Sequence, residues 1–259
     1  MDLKLTDQHF LVCGASSGFG NAIARQLLDE GAYCTLVARR GDLLEDIFEE
    51  KYPNRVTTLE ADLTQSESID KIVSLFKGKK IHGIVLNAGG PPTGTPLDTT
   101  MDQWDDAYQL VMRWKIDLTL RLAPLFVKQK YGRILYIESK TIKQPLPSLV
   151  LSNAFRAGIA GFAKSLSAEL ASKGVTVNII APGSHNTPAI ERVIKKRSET
   201  QGISVTDARK EMEKTVPVGR FGEAEELASL AAWMLSKNAG YITGQTISHD
   251  GGSISGLFG

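Results

Sequence analysis

Three stretches of this 259-residue chain carry residue types that could do chemistry. The first, GASSGFG, sets Gly14, Gly18 and Gly20 around Ser16, Ser17 and Phe19. It lies between a short apolar run (HFLVCG, 9–14) and a helical pattern. Glycines so placed permit a tight turn and close backbone approach to an anion, and the helix start adds N–H donors and the positive end of its dipole. The second stretch, ESKTIKQP, gathers Glu138, Lys140 and Lys143 around Ser139. A lysine amine partly desolvated in a cleft can lose enough basicity to transfer a proton; the plain alternative is a pair of solvated loop lysines. The third, LSNAFRAG, opens a helix with Ser152 and Arg156 one turn apart. A serine hydroxyl is a weak acid and arginine keeps its proton, so this pair can bind hydroxyl groups but makes a poor general acid.

Alternating strand-like and helix-like segments must position these residues. HFLVCG, AYCTLVA (32–38), RVTTLEAD (55–62), IHGIVLNAGG (81–90), RILYIES (133–139) and VTVNIIAPG (175–183) read as strands, several of them apolar on both faces. Between them lie helical patterns: one with Ile23, Leu27 and Leu28 on one face, and one with Leu43, Leu44, Ile47 and Phe48 turned inward. Thr64 with Glu67, and Thr100 with Gln103, have capping-box spacing. The second of these opens a long helix through Trp104 and Leu110 towards Lys130, in which Trp104, Tyr108 and Trp114 are read as packing residues. This alternation predicts an α/β fold: a single-domain, doubly wound parallel sheet of about seven strands, Rossmann-type, with helices on both faces. Residues 1–259 form one domain in this reading. The polar segment 184–222 interrupts the rhythm between the last two strands and is predicted to be a substrate lid, with a surface excursion as the alternative.

Bulk properties narrow the partners. Thirty basic and 29 acidic residues give a net charge of +1, which argues against nucleic acid or an anionic membrane surface as the main partner. No apolar run approaches the ~20 residues of a membrane span, the first residues contain no apolar signal core, and Cys13 and Cys34 fit no redox or ligand spacing. A reduced, cytoplasmic protein acting on a small molecule is the expectation. The four histidines are scattered along the chain and offer no metal cluster.

The coenzyme can be read from the second strand's end. NAD sites usually place a carboxylate there for the ribose 2′-hydroxyl. Here Ala38 is followed by Arg39 and Arg40, which favour a 2′-phosphate, hence NADP(H) over NAD(H), with Arg39 as the expected contact. A pair of arginines simply facing water at a strand end is the alternative.

Taken together, GASSGFG, the Asp62 of ADL, NAGG (87–90), APG followed by Thr187, and YITGQTISHDGG resemble the short-chain dehydrogenase/reductase family over essentially the whole chain. The Lys-x-Pro stretch at Lys143 and the Ser-Asn-x-x-Arg stretch at Ser152 resemble a divergent branch of it, often grouped with 3-oxoacyl-acyl-carrier-protein reductases. The resemblance implies that the coenzyme is lined by Gly14, Ser16, Ser17, Gly18, Phe19 and Gly20, by Asp62, Leu63, Asn87, Ala88 and Gly89, and by Pro182, Gly183 and Thr187. It makes Ser139 the anchor of the substrate carbonyl. The family's tyrosine and lysine places hold Ser152 and Arg156, and its asparagine place holds Val111. Arg156 is then expected at the nicotinamide ribose, and Lys143, ahead of Lys140, as a replacement proton donor. The resemblance further implies a homodimer or homotetramer built on the helix carrying Ala154, Gly158 and Gly161. An NADP(H)-dependent oxidoreductase acting on a carbonyl or alcohol, possibly a 3-oxoacyl thioester, is the leading reading. Its rival is an inactive NADP(H)-binding sensor or partner subunit that keeps the fold.

Overall fold

A computed structural model describes residues 1–257. The chain begins with β1 (His9–Cys13), α1 (Gly18–Asp29), β2 (Tyr33–Ala38), α2 (Gly41–Phe48), β3 (Val56–Glu60), α3 (Ser66–Leu75) and β4 (Gly83–Asn87). It continues with α4 (Met101–Tyr108), α5 (Trp114–Gln129), β5 (Gly132–Ile137), α6 (Val150–Leu170) and β6 (Val175–Pro182). After these come β7 (His185–Asn186), α7 (Pro188–Gln201), α8 (Val205–Lys214), β8 (Gly222–Glu223), α9 (Ala224–Leu235) and β9 (Thr246–His249).

Seven strands form one sheet in the order β3-β2-β1-β4-β5-β6-β9, every pairing parallel. The doubly wound expectation therefore holds. Residues of β1 and β5 are buried on both sides because α1, α2 and α9 cover one face while α3, α5 and α6 cover the other. The order reverses between β1 and β4, and open α/β sheets bind ligands at the carboxyl ends beside such a reversal. GASSGFG follows β1, NAGG follows β4 and ESK follows β5, so one edge of the sheet gathers all three.

Local chemistry agrees with the sequence at most starts and stops, with two differences. Thr100 and Gln103 form the capping box that opens α4. Thr64 forms none: its N–H and hydroxyl both donate to Asp62 Oδ1, at 3.0 and 2.8 Å, and α3 starts two residues later. The aspartate's local turn outcompetes the cap. The long helix is also not uniform, since residues Gln109–Arg113 make a π-type turn between α4 and α5. Trp104 and Tyr108 pack on Phe155 of α6, and Trp114 is buried, as their packing reading requires.

The segment 184–222 folds as α7, α8 and the small β7–β8 pair around a separate core of Ile194, Ala208, Val216 and Phe221. It sits between β6 and β9 in the chain, beyond the carboxyl end of β6. Lys196 of α7 donates to Thr93 Oγ1 at 3.1 Å, so this excursion meets the loop that follows NAGG.

Candidate active site

The phosphate loop is built by backbone contacts that only glycine allows. Gly14 has φ +67° and Gly18 has φ +57°, the left-handed region. A Cβ on Gly20 would stand 2.2 Å from the Gly14 carbonyl oxygen, and one on Gly14 would stand 2.8 Å from Asn87. Asn87 itself donates from Nδ2 to the carbonyls of Cys13 and Gly14, tying the end of β4 to the loop after β1. Thr187, at the start of α7, lies 3.6 Å from the Cβ position of Gly18. Gly183 packs on Asp250, with its N–H donating to the His249 carbonyl. Ala88 is half-buried and Gly89 exposed, with open space where a side chain would project. Leu63 packs against the core below α3.

Of the two arginines after β2, Arg40 is the one that bonds to this loop. Arg40 Nη2 donates to Ser16 Oγ at 3.1 Å and to Ser17 Oγ at 3.3 Å, whereas Arg39 is simply exposed at the end of β2. Arg40 is the N-cap of α2, where the chain has already turned back towards the loop. A guanidinium beside two hydroxyls offers donors suited to a 2′-phosphate, and the start of α1 offers N–H donors suited to a pyrophosphate. The residues present thus fit a phosphorylated dinucleotide.

At the reacting end, Ser139 leaves the sheet in extended conformation and caps a 3-10 turn, Lys140–Ile142, by accepting from the Thr141 N–H at 3.2 Å. Ser139 and Lys143 are both half-buried. The following loop is fixed by Asn153 of α6, whose amide exchanges two hydrogen bonds with the Leu146 backbone. It is also fixed by the Gly94–Ser148 and Gly94–Val150 backbone bonds. The Thr141 hydroxyl is buried and finds no partner among the described residues.

Ser152 and Arg156 are brought together, and two further residues join them. Arg156 donates from Nε to Ser152 Oγ at 3.1 Å and from Nη1 to Glu138 Oε2 at 2.9 Å. The other carboxylate oxygen of Glu138 accepts from Lys115 Nζ at 2.5 Å. All four side chains are buried. Arg156 Nη2 is 3.6 Å from where a Cβ of Gly90 would stand, so the guanidinium borders the NAGG loop. Burial, and secondarily the nearby Arg156 charge, bring Lys115 down to about 8 despite the opposing pull of Glu138. Val111 lies in the π-type turn one turn before Lys115 and is buried and apolar. Lys115 escaped the sequence reading because it belongs to no motif. Glu138 stands out in the sequence only as a neighbour of Ser139. Two of the four histidines meet in space: His185 Nε2 and His249 Nδ1 are 2.8 Å apart, and His185 meets Phe19 edge-on.

A family model described as Enoyl-(Acyl carrier protein) reductase matches residues 14–253, nearly the whole chain. The chain belongs to the short-chain dehydrogenase/reductase family. Among curated members, it is 30% identical to the 3-oxoacyl-[acyl-carrier-protein] reductase FabG of Aquifex aeolicus (strain VF5), over 97% of this chain and 99% of that protein. It is 28% identical to the NADPH-dependent reductase BacG of Bacillus subtilis (strain 168), over 95% and 97%. Among solved structures it superposes on L-sorbose reductase from Gluconobacter frateurii, complexed with NADPH and L-sorbose, with a TM-score of 0.93 and 28% identity over 99% of this chain and 100% of that one. Ser152 and Arg156, the positions that the resemblance pairs with the family's tyrosine and lysine, are thus joined to Glu138 and Lys115 in one buried chain of hydrogen bonds.

Proposed function

We propose that this protein is an NADP(H)-dependent oxidoreductase that transfers hydride between the coenzyme's nicotinamide and a carbonyl or alcohol substrate, with a 3-oxoacyl thioester as the first substrate class to test. The observation that carries the reading is the placement of an Arg40-closed phosphate loop and Ser139 on the same carboxyl edge of the sheet. NADPH-dependent relatives support the coenzyme.

In this reading the coenzyme supplies the hydride. The phosphate loop and Arg40 bind its phosphates, Asp62 and Leu63 flank the adenine, and Asn87 to Gly89, Pro182, Gly183 and Thr187 enclose the nicotinamide half. Arg156 holds the ribose hydroxyls. Ser139 orients the substrate oxygen, and the proton moves to or from that oxygen through Lys143 or a water near Ser139. Ser152 is not the proton donor in this reading, because a serine hydroxyl is a very weak acid; its Oγ accepts from Arg156. The segment 184–222 closes over the substrate, with Lys196 and Thr93 joining its rim to the opposite loop.

Of the small residues on α6, Ala154 and Gly161 are exposed, with Ala157 beside them, while Gly158 faces Met112; the exposed ones provide a smooth face for a homodimer or homotetramer. Light scattering that finds a monomer at micromolar concentration would overturn that assembly.

Thermal-shift measurements with NADPH and NADH, followed by NADPH consumption over a panel of ketones, aldehydes and 3-oxoacyl thioesters, test the function. Turnover of a panel member is the expected outcome. A second reading, a coenzyme-binding protein without turnover, is favoured by the engagement of Ser152 with Arg156. Binding of NADPH with no consumption across the panel would select it.

A further inference from the structure

Lys115, Glu138 and Arg156 form a buried group of two cations and one anion, with side-chain exposures of 1%, 0% and 7%. Glu138 gives one oxygen to each cation, so it can neutralise only one of them. With Lys115 protonated, the group carries one uncompensated positive charge. Arg156 presents that charge at Gly90, in the loop after β4. Charge held in a poorly solvated interior acts more strongly than charge at the surface.

We propose that this cluster selects the redox state of the coenzyme: its uncompensated charge favours the neutral, reduced nicotinamide over the cationic, oxidised one, and Lys115 is the residue that sets the charge. The inference rests on the reading of Arg156 as the residue beside the nicotinamide ribose. Lys115 and Glu138 are positioning residues, buried behind Arg156. A protein built this way holds NADPH firmly and releases NADP+ readily, the bias that a reductase needs.

Among the described residues, three ionisable groups act on Lys115. Glu138 meets it from the end of β5, Arg156 from α6, and Cys13 from β1. Burial pushes the Cys13 thiol up to about 12, so it stays neutral. Tyr136, next along from Glu138 and bonded to Thr119, is likewise pushed up by burial. Lys115, brought down to about 8, is therefore the member that changes charge near neutral pH.

The test is calorimetric titration of the full chain with NADPH and, separately, NADP+ at pH 7 and pH 9. Both coenzymes carry the same 2′-phosphate, so its titration cancels in the ratio of their dissociation constants. The ratio Kd(NADP+)/Kd(NADPH) should fall on the order of tenfold from pH 7 to pH 9, the size of one buried charge acting over a side-chain length or two. Lys115→Met should show the low ratio at both pH values. A pH-independent ratio in the unmodified protein overturns the proposal, and that measurement stands whether or not the variant folds. So does a folded Lys115→Met that keeps the unmodified ratio. Arg156→Ala separates the underlying reading: unchanged affinity for both coenzymes would remove Arg156 from the ribose. Weakened affinity beside a flat pH ratio would overturn the cluster's role alone.

Discussion

Gly20 lies so close to Gly14 that a β-carbon at position 20 would stand 2.2 Å from the Gly14 carbonyl oxygen. Both partners are backbone, so neither can swing aside. Gly20→Ala is expected to displace the phosphate loop, lower stability by about 1–3 kcal/mol as overpacking does, and abolish the thermal shift given by NADPH. A variant that melts within a degree of the parent and still binds NADPH would contradict this account of the loop.

Arg40, held against Ser16 and Ser17, is expected to provide the discrimination between NADPH and NADH. Arg40→Ala should narrow the affinity gap by roughly 1.5–3 kcal/mol, the worth of a charge-assisted contact, leaving NADH binding nearly unchanged. Arg39→Ala should do less. Titration of both coenzymes against each variant checks the order, and a larger loss at Arg39 would reverse it.

Around Ser139, three substitutions separate binding from proton transfer. With a turned-over substrate in hand, Ser152→Ala should keep much of kcat, since its hydroxyl serves Arg156 and no proton. Arg156→Ala should weaken NADPH binding and slow turnover together. Lys143→Ala should reduce kcat by ~10²–10⁴, the usual cost of a lost general acid or base, with coenzyme affinity little changed. A dead Ser152→Ala beside an active Lys143→Ala would move the acid to Ser152.

Lys115 ties stability to pH. Burial lowers its ionisation from 10.5 to about 8 in the folded chain. Between those values the unfolded chain retains a proton that the folded one has released, so stability rises with pH across that window, by up to about 3 kcal/mol. Below pH 8 both forms are protonated and the full penalty remains. Cys13 and Cys34, whose thiols burial pushes up, act in the opposite sense above pH 9. They are common to the unmodified chain and Lys115→Met, so the difference in denaturant stability between the two isolates the lysine. A constant difference from pH 7.5 to pH 10.5 would mean that Lys115 is not desolvated.

Much of this molecule could be read before it was seen, for identifiable reasons. The strand alternation, the glycine loop and the capping box at Thr100 are local patterns, and each survives in the fold. The bonds from Arg40 to Ser16 and Ser17 were not readable, because they join residues more than 20 positions apart. The pairing of His185 with His249 joins residues 64 positions apart. Lys115 was hidden for another reason. A lone lysine on a long helix has the sequence appearance of a solvated one, and only the packing of α5 on β5 and α6 shows it reaching Glu138.

The π-type turn at Gln109–Arg113 gives this centre an unusual vulnerability. Such a turn takes in one residue more than a regular helical turn, and a one-residue change of length swings everything on its far side through about 100°. Deleting any single residue there would leave composition and apolarity almost untouched. It would nonetheless force a choice between keeping Trp114, Leu118 and Leu122 in the core and keeping α4 seated on α6. Natural variants of this helix should accordingly differ by replacement and hardly ever by gaps. Its residue count is as much a part of the site as any side chain in it.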